Sequence, residues 1–155
     1  MTRILGVDPG ARFVGLCVVE RPGGDVVWHR EVDRHALDAN RLCDWAQLAG
    51  ACVMAAATSE RVDAIGIEDY NPPSPHVGRI DPRPVAAAAY VTGWLIAIGD
   101  RVIRPDATIV IPPGGHASAP ASSYPPPLRR AGNHCRAAYD IAGVAWALHR
   151  TKDRG

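Results

Sequence analysis

The chain is short of several things, and each shortage closes off a class of function. It has no long apolar run: the longest, "VAAAAYVTGWLIAIG" from Val85 to Gly99, spans fifteen residues, below the roughly 20 that a membrane-spanning helix needs. It has no C-x-x-C pair. Cys17, Cys43, Cys52 and Cys135 read as small buried residues of a reducing compartment, neither a disulfide framework nor a zinc site. The opening "MTRILGVDPG" has no apolar segment leading to a small-residue cleavage site, so no secretory signal is expected and a cytoplasmic protein is. Net charge is only +1 and by itself argues for no partner. Lysine is nearly absent, with Lys152 set against sixteen arginines. Arginine suits bidentate phosphate contacts, although a genome-wide bias in composition would give the same excess. The charge is unevenly spread: residues 1–60 carry six basic and eight acidic groups, residues 61–155 eleven and eight.

What is present describes an ordinary globular protein, 47% hydrophobic and 21% charged over 155 residues. A chain of this length fits one domain, 1–155, and buries roughly 68–70% of its unfolded surface. "ILGV" and "VGLCVV" read as two strands joined by "DPGARF", whose Pro-Gly marks a tight turn. After "ERPGGD", "VVWHREV" makes a third strand of an antiparallel set. Leu42, Trp45, Ala49, Cys52, Val53 and Ala56 then recur at helical spacing. "VDAIGIED" is a short buried strand ending in acids. Asp81-Pro82 starts a second helix with a capping acid and Pro at the first helical position. That helix runs to about Ile98, where Gly99 can close it. "ATIVIPP" is a fifth strand. The proline-rich stretch within 112–133 cannot be regular structure, and "NHCRAAYDIAGVAWALHR", with Asn133 as a plausible N-cap, is a last helix. The order β-β-β-α-β-α-β-α predicts an α/β protein with a mixed five-stranded sheet, three antiparallel strands and then two parallel, flanked by helices.

Three acids fall at related places. Asp8 ends the first strand, Glu68 ends the fourth, and Asp140 sits in the last helix among Ala137, Gly143, Val144 and Ala147. Taken singly each has an ordinary explanation: Asp8 as a turn residue, Glu68 and Asp69 as the start of a solvated loop. Asp140, inside an apolar alanine-rich helix, has the strongest case against surface decoration. If strand four pairs with strand one and the last helix crosses the sheet, the three converge. Carboxylates about 4 Å apart repel by about 4 kcal/mol per pair at an effective dielectric near 20, so such a cluster needs shared protons or cations. All-oxygen ligation suits Mg2+ or Mn2+, and two such ions suit phosphodiester cleavage.

These stretches resemble a known family. "ILGVDPGARFVGLCVVE" is similar to the first motif of the RuvC-type Holliday junction resolvases, "AIGIED" to their second, and "AAYDIAGVAWAL" to their last helix. The likeness covers most of the chain, with 112–133 matching loosely, and its departures point to a phage-type member. It implies an RNase H-like fold and a homodimeric, Mg2+-dependent endonuclease acting on branched DNA. By this resemblance Asp8, Glu68 and Asp140 are the metal-binding acids. The family's fourth ligand, Asp or His three residues before the last acid, is replaced here by Ala137. His134 lies about 120° from Asp140 around a helix, within reach only if the helix starts late. Asp69 is a spare carboxylate that strand alternation aims the other way.

Arg136, one turn before Asp140, is placed to hold a phosphate. Where the cellular enzymes put a wedging aromatic, this chain has "DYNPPSPHVGRI", and Tyr70 is either a base-stacking residue or a core anchor. Further DNA contacts are expected at Arg79, Arg83, Arg129 and Arg130, since residues 79–136 hold seven arginines against three acids. The proline-rich loop reads equally as a DNA-following segment or a flap. Three alternatives stand beside this reading: an RNA-processing nuclease of the YqgF type, a branched-DNA-binding protein that does not cut, and an actin-like ATP-binding domain, for which the chain is short.

Overall fold

The computed structural model describes residues 1–72, 81–102, 107–114 and 116–152. Its centre is a five-stranded sheet in the order β3-β2-β1-β4-β5, built from β1 (Thr2–Asp8), β2 (Phe13–Arg21), β3 (Asp25–Asp33), β4 (Ala64–Glu68) and β5 (Thr108–Ile111). The first three pair antiparallel. β4 and β5 run parallel to β1, because each is reached through a helix that carries the chain back to the same end of the sheet. The expected α/β architecture is therefore what forms.

Helices α1 (Leu42–Ser59) and α2 (Pro82–Val102) pack together on one face, and α3 (Asn133–Lys152) crosses the other. Strand alternation divides the core accordingly. Leu5, Val7, Leu16, Val18, Ile65 and Ile67 meet Trp45, Ala49 and Val53 of α1 and Val91 and Leu95 of α2. Ile4, Cys17, Val19, Ala64, Ile109 and Ile111 meet Ala138, Ile141, Ala142 and Ala145 of α3. Covered on both faces, β2 is buried continuously from Val14 to Val19, which is why it reads as an unbroken apolar run rather than an alternation. Trp45, fully buried, also donates its Nε1–H to the Gly10 carbonyl at 3.2 Å, tying α1 to the turn just after Asp8.

Three glycines set how close α3 comes to the sheet. A Cβ at Gly6 would lie 1.8 Å from the Ala138 carbonyl oxygen, one at Gly15 2.1 Å from that of His134, and one at Gly66 2.6 Å from the Ala145 methyl. The helix thus rides on bare strand backbone.

Two expectations need correction. α2 does not stop at Gly99 but continues to Val102. Gly99 serves approach rather than termination, since a Cβ there would meet Thr108 Oγ1 of β5 at 2.6 Å. The proline-rich stretch contains two short 3-10 turns, Ala121–Ser123 and Pro126–Leu128. With Tyr124 and Leu128 buried in the α3-side core, it is a packed segment and not a flap. The helix start at Asp81-Pro82 forms as expected: Asp81 Oδ1 accepts the Arg83 N–H at 3.0 Å, satisfying one of the first-turn donors.

Candidate active site at the carboxyl ends of β1 and β4

The parallel register pairs Val7 with Ile67, so the next residues, Asp8 and Glu68, end adjacent strands side by side. Both stand two residues beyond the glycines that touch α3, Gly6 and Gly66, and so share the α3 face. Glu68 is partly buried, and its carboxyl is raised above its ordinary value. Burial is the main cause and the neighbouring Asp8 charge adds to it, while a hydrogen bond from the Gly114 N–H (3.1 Å) works against both. A carboxylate pair of this kind disfavours double ionisation unless positive charge joins it.

His134 reaches this pair. Its Nδ1 lies 2.7 Å from Asp8 Oδ2, and that contact raises the imidazole above its ordinary value against the opposing effect of burial. α3 does not start late, since it begins at Asn133. His134 stays about 120° from Asp140 around its own helix; the carboxylate it meets is that of Asp8 on β1. Register explains the meeting: Asp8 pairs with Gly15, and Gly15 is where the helix backbone at His134 touches the sheet. Phe13 stacks on the His134 ring at 5.3 Å and Arg12 lies over Phe13 at 4.6 Å, fixing the ring from behind.

Asp140 is not gathered with the other two acids into one basket. Among the described residues no three His, Cys, Asp or Glu side chains are close enough to hold a metal ion. Asp140 Oδ2 instead accepts the Ala117 N–H and the Tyr124 hydroxyl, both at 2.8 Å. Burial, and then this hydrogen bond, push the Tyr124 phenol up to about 12. The residue before Ala117 is His116, whose Nε2 is 3.6 Å from Glu68 Oε1. Consecutive loop residues therefore touch Glu68 and Asp140. Sequence reasoning missed His116, because nothing in the spacing of a proline-rich loop says that it folds back over a strand end.

The remaining expected residues fare unevenly. Asp69 is exposed, and its Oδ1 accepts the Tyr70 N–H at 2.8 Å. Tyr70 is half-buried, with its hydroxyl buried and unpaired, so its tip faces inward as an anchor would. Asp69, Tyr70, Glu68, Pro9, Thr92 and Gly114 are among the residues lining a cleft of about 310 Å3. Arg136 is engaged within the chain: its guanidinium donates to the Ala131 carbonyl and to Asn133 Oδ1, tying the loop to α3. Arg129 donates to the Tyr124 carbonyl at 3.1 Å, while Arg130 is exposed. Arg83 is exposed but paired with Asp81 at 2.9 Å. Arg79 lies outside the described residues. Arg83 also lines a groove of about 620 Å3 with Arg12, Arg34 and His35. Those three were not foreseen, since no local spacing links them.

The oxygen chemistry of these donors is that of a hard divalent cation, but no three of the described donors are gathered closely enough to hold one. Two carboxylates share one end of the sheet, and His116 Nε2 beside Glu68 is buried with no hydrogen-bond partner. Carboxylate oxygens suit Mg2+ or Mn2+, and a buried orphaned nitrogen is otherwise costly.

No family model and no curated protein matches the sequence. Solved structures do match in three dimensions. RuvC of T. thermophilus in complex with a Holliday junction substrate superposes with a TM-score of 0.67 at 14% identity, over 96% of this chain and 96% of that one. A Thermus thermophilus RuvC structure gives 0.61 at 16% identity, over 97% and 98%. At such low identity the likeness speaks to architecture alone: this chain has a RuvC-type, RNase H-like fold.

Proposed function

We propose that the protein is a structure-selective endodeoxyribonuclease that cuts branched DNA, Holliday junctions above all, by metal-assisted phosphodiester hydrolysis. The observation that carries this reading is the pairing of Asp8 and Glu68 at the ends of adjacent parallel strands in a RuvC-type fold. Asp8 and Glu68 are the acids that would hold Mg2+, with Mn2+ as a substitute; Asp140 would join them only on release from Tyr124 and Ala117, and His134, already on Asp8, is the further candidate within reach. When bound, the cation supplies charge neutralisation at the scissile phosphate and activation of the attacking water.

The chain's own residues do the rest. His134 orients the Asp8 carboxylate through the 2.7 Å contact, Gly114 N–H holds Glu68 Oε1, and Tyr124 and Ala117 N–H orient Asp140. Packing around the two strand ends keeps the acids in a partly desolvated setting, where charge interactions are stronger than in water. Arg130 is exposed and available to phosphates, whereas Arg83, also exposed, would first have to leave Asp81. Symmetric cutting of a junction calls for two sites, and a homodimer supplies them. Tyr90 and Trp94 of α2 and Met54 of α1, 48%, 38% and 48% exposed, offer an apolar face for a second copy.

The test is nicking of a four-way junction in Mg2+, with binding followed in Ca2+. Asp8→Asn should abolish cutting and leave binding measurable; undiminished cleavage by that variant removes the site assignment. A second reading, a junction binder that does not cut, is favoured by the Asp140 carboxylate being engaged by Tyr124 and Ala117 and by Ala137 standing where a fourth ligand is expected. It predicts salt-sensitive junction binding with no turnover in any divalent metal.

A further inference from the structure

Arg12, Arg34 and Arg83 come from three separate elements and line one groove of about 620 Å3. The turn after β1 supplies Arg12, the segment after β3 supplies Arg34 and His35, and the first turn of α2 supplies Arg83. That first turn follows directly on Asp8, so the groove opens at the end of the sheet where Asp8 and Glu68 stand. Its walls are tied together. The Arg34 N–H donates to the Arg12 carbonyl at 2.9 Å, and the Arg34 guanidinium donates to the carbonyls of Ala39 and Asn40 at 2.7 and 2.6 Å.

Two of the three arginines each hold a carboxylate of this chain. Arg83 Nε and Nη2 donate to Asp81 Oδ1 and Oδ2 at 3.0 and 2.9 Å. Arg12 Nε and Nη2 donate to Asp33 Oδ1 and Oδ2 at 3.3 and 3.2 Å. Both pairs are bidentate, and each carboxylate takes the edge of the guanidinium that suits a phosphate equally well. Both pairs also stand in solvent, with the Arg83 and Arg12 side chains 89% and 54% exposed, so the partners exchange easily. Arg34, held by neutral carbonyls, meets no such competitor among the described residues. The lining residues Ala11, Pro84 and Ala87 carry no hydrogen-bonding side chain with which to read a base edge. What remains is phosphate chemistry, which positions a nucleic acid without reading its sequence.

We propose that the groove takes the sugar–phosphate backbone of one duplex arm of a branched DNA, and that Asp33 and Asp81 restrain this binding by competing with phosphate for Arg12 and Arg83. The inference rests on the branched-DNA reading given above and adds to it a surface that works without metal. Each of these two arginines that turns to a phosphate gives up a carboxylate, so one anion replaces another and the net gain is small.

The experiment uses the whole chain in EDTA, with binding of a labelled four-way junction followed by fluorescence anisotropy as salt is raised from about 50 to 200 mM. Arg12→Ala and Arg83→Ala should each weaken binding and reduce the slope of log affinity against log salt by about 1. Asp81→Asn keeps the oxygen that accepts the Arg83 N–H while removing the charge, and Asp33→Asn does the same for the His35 N–H. Each should tighten binding by about two- to fivefold, the worth of an exposed ion pair. The Asp81→Asn gain should disappear when Arg83 is already alanine, because the carboxylate acts through that guanidinium. Asp25→Asn, at the far end of β3, removes the same charge outside the groove and should change little. Circular dichroism checks that each variant folds.

The proposal is overturned if the arginine changes leave affinity and salt slope as they were, or if Asp33→Asn and Asp81→Asn fail to tighten binding. It is equally overturned if Asp25→Asn tightens binding as much, which would make the effect one of net charge. Tighter binding of a duplex RNA than of the junction, lost in the arginine variants, would give the groove to RNA and overturn it too. Arginine-dependent binding that treats a linear duplex and a junction alike, in a protein that cuts neither, would support the groove while removing the nuclease reading. Unchanged binding by every variant of a protein that still cuts junctions would remove the groove alone.

Discussion

The hydroxyl of Tyr124 donates to Asp140 Oδ2 across 2.8 Å, from a ring only 4% exposed. This bond joins the proline-rich loop to the helix that carries the third acid. Hydrogen bonds to charged groups contribute about 1.5–3 kcal/mol, and here the Ala117 N–H remains as a second donor. Tyr124→Phe should therefore cost about 1–2 kcal/mol in urea unfolding, near the lower end of that range. If Asp140 serves the metal, the same change should slow nicking by about 10–100-fold without abolishing it. A variant as active and as stable as wild type would show that the bond does neither.

The closeness of α3 to the sheet gives a second test. Gly6→Ala would place a methyl group 1.8 Å from the Ala138 carbonyl oxygen, where neither backbone can yield. Overpacking of this kind costs about 1–3 kcal/mol or more, and in a chain of this length each kcal/mol is worth about 2–4 °C. The melting temperature should fall by about 6 °C or more. An unchanged value would mean that the helix is free to lift away.

The four cysteines should divide into two classes. Cys17 and Cys135 are 0% and 2% exposed. Burial raises the Cys17 thiol strongly and pushes Cys135 up to about 11; both therefore stay protonated and shielded near neutral pH. Cys43 and Cys52 are only partly covered. A disulfide exchange reagent at pH 8 should titrate two thiols in the native protein and four after denaturation. Rapid reaction of all four would contradict this burial.

Arg12 and Asp33 pin the β1–β2 turn to the end of β3, with Nη2 and Oδ2 3.2 Å apart. The Arg12 hydrogen bond is the main reason the Asp33 carboxyl lies below its ordinary value of 3.8. A depressed acid contributes stability that is complete above its unfolded pKa and lost as pH falls through the folded one. Asp33→Asn should lower the urea midpoint slightly at pH 7, both groups being in solvent, and the gap should close in acid. A gap that widened below pH 4 would reverse the sign.

The proposed dimer face is tested at Trp94, 38% exposed on α2. Trp94→Arg puts a charge where a second copy would pack. It should shift light-scattering mass from dimer to monomer at micromolar concentration while junction-independent metal binding is retained. An unchanged mass places the interface elsewhere.

Much of the architecture was legible because it rests on local pattern. The run Val14–Val19 and the spacing from Trp45 to Ala56 report burial on two faces and on one, and the acids at strand ends follow from where those runs stop. What was not legible depends on register and close approach. That His134 meets Asp8 follows from the pairing of Asp8 with Gly15 beneath the helix, a relation between residues 126 apart. Gly99 looked like a helix stop because its actual reason, Thr108 of β5, is in another element. The bond from Arg136 to the Ala131 carbonyl was likewise not legible, because Ala131 belongs to a loop whose path has no periodic signature.

At Gly6, Gly15 and Gly66 the spacing between α3 and the strands is set by atomic radii, not by side chains free to change rotamer. The jaw that carries Asp140 is in that sense a fixed caliper, gauged against the strand backbone beneath it. Gly114 and His116, by contrast, meet Glu68 through a hydrogen bond and a 3.6 Å contact, so of the two described walls beside these acids the loop side is the one whose spacing rests on polar contacts that can part and re-form.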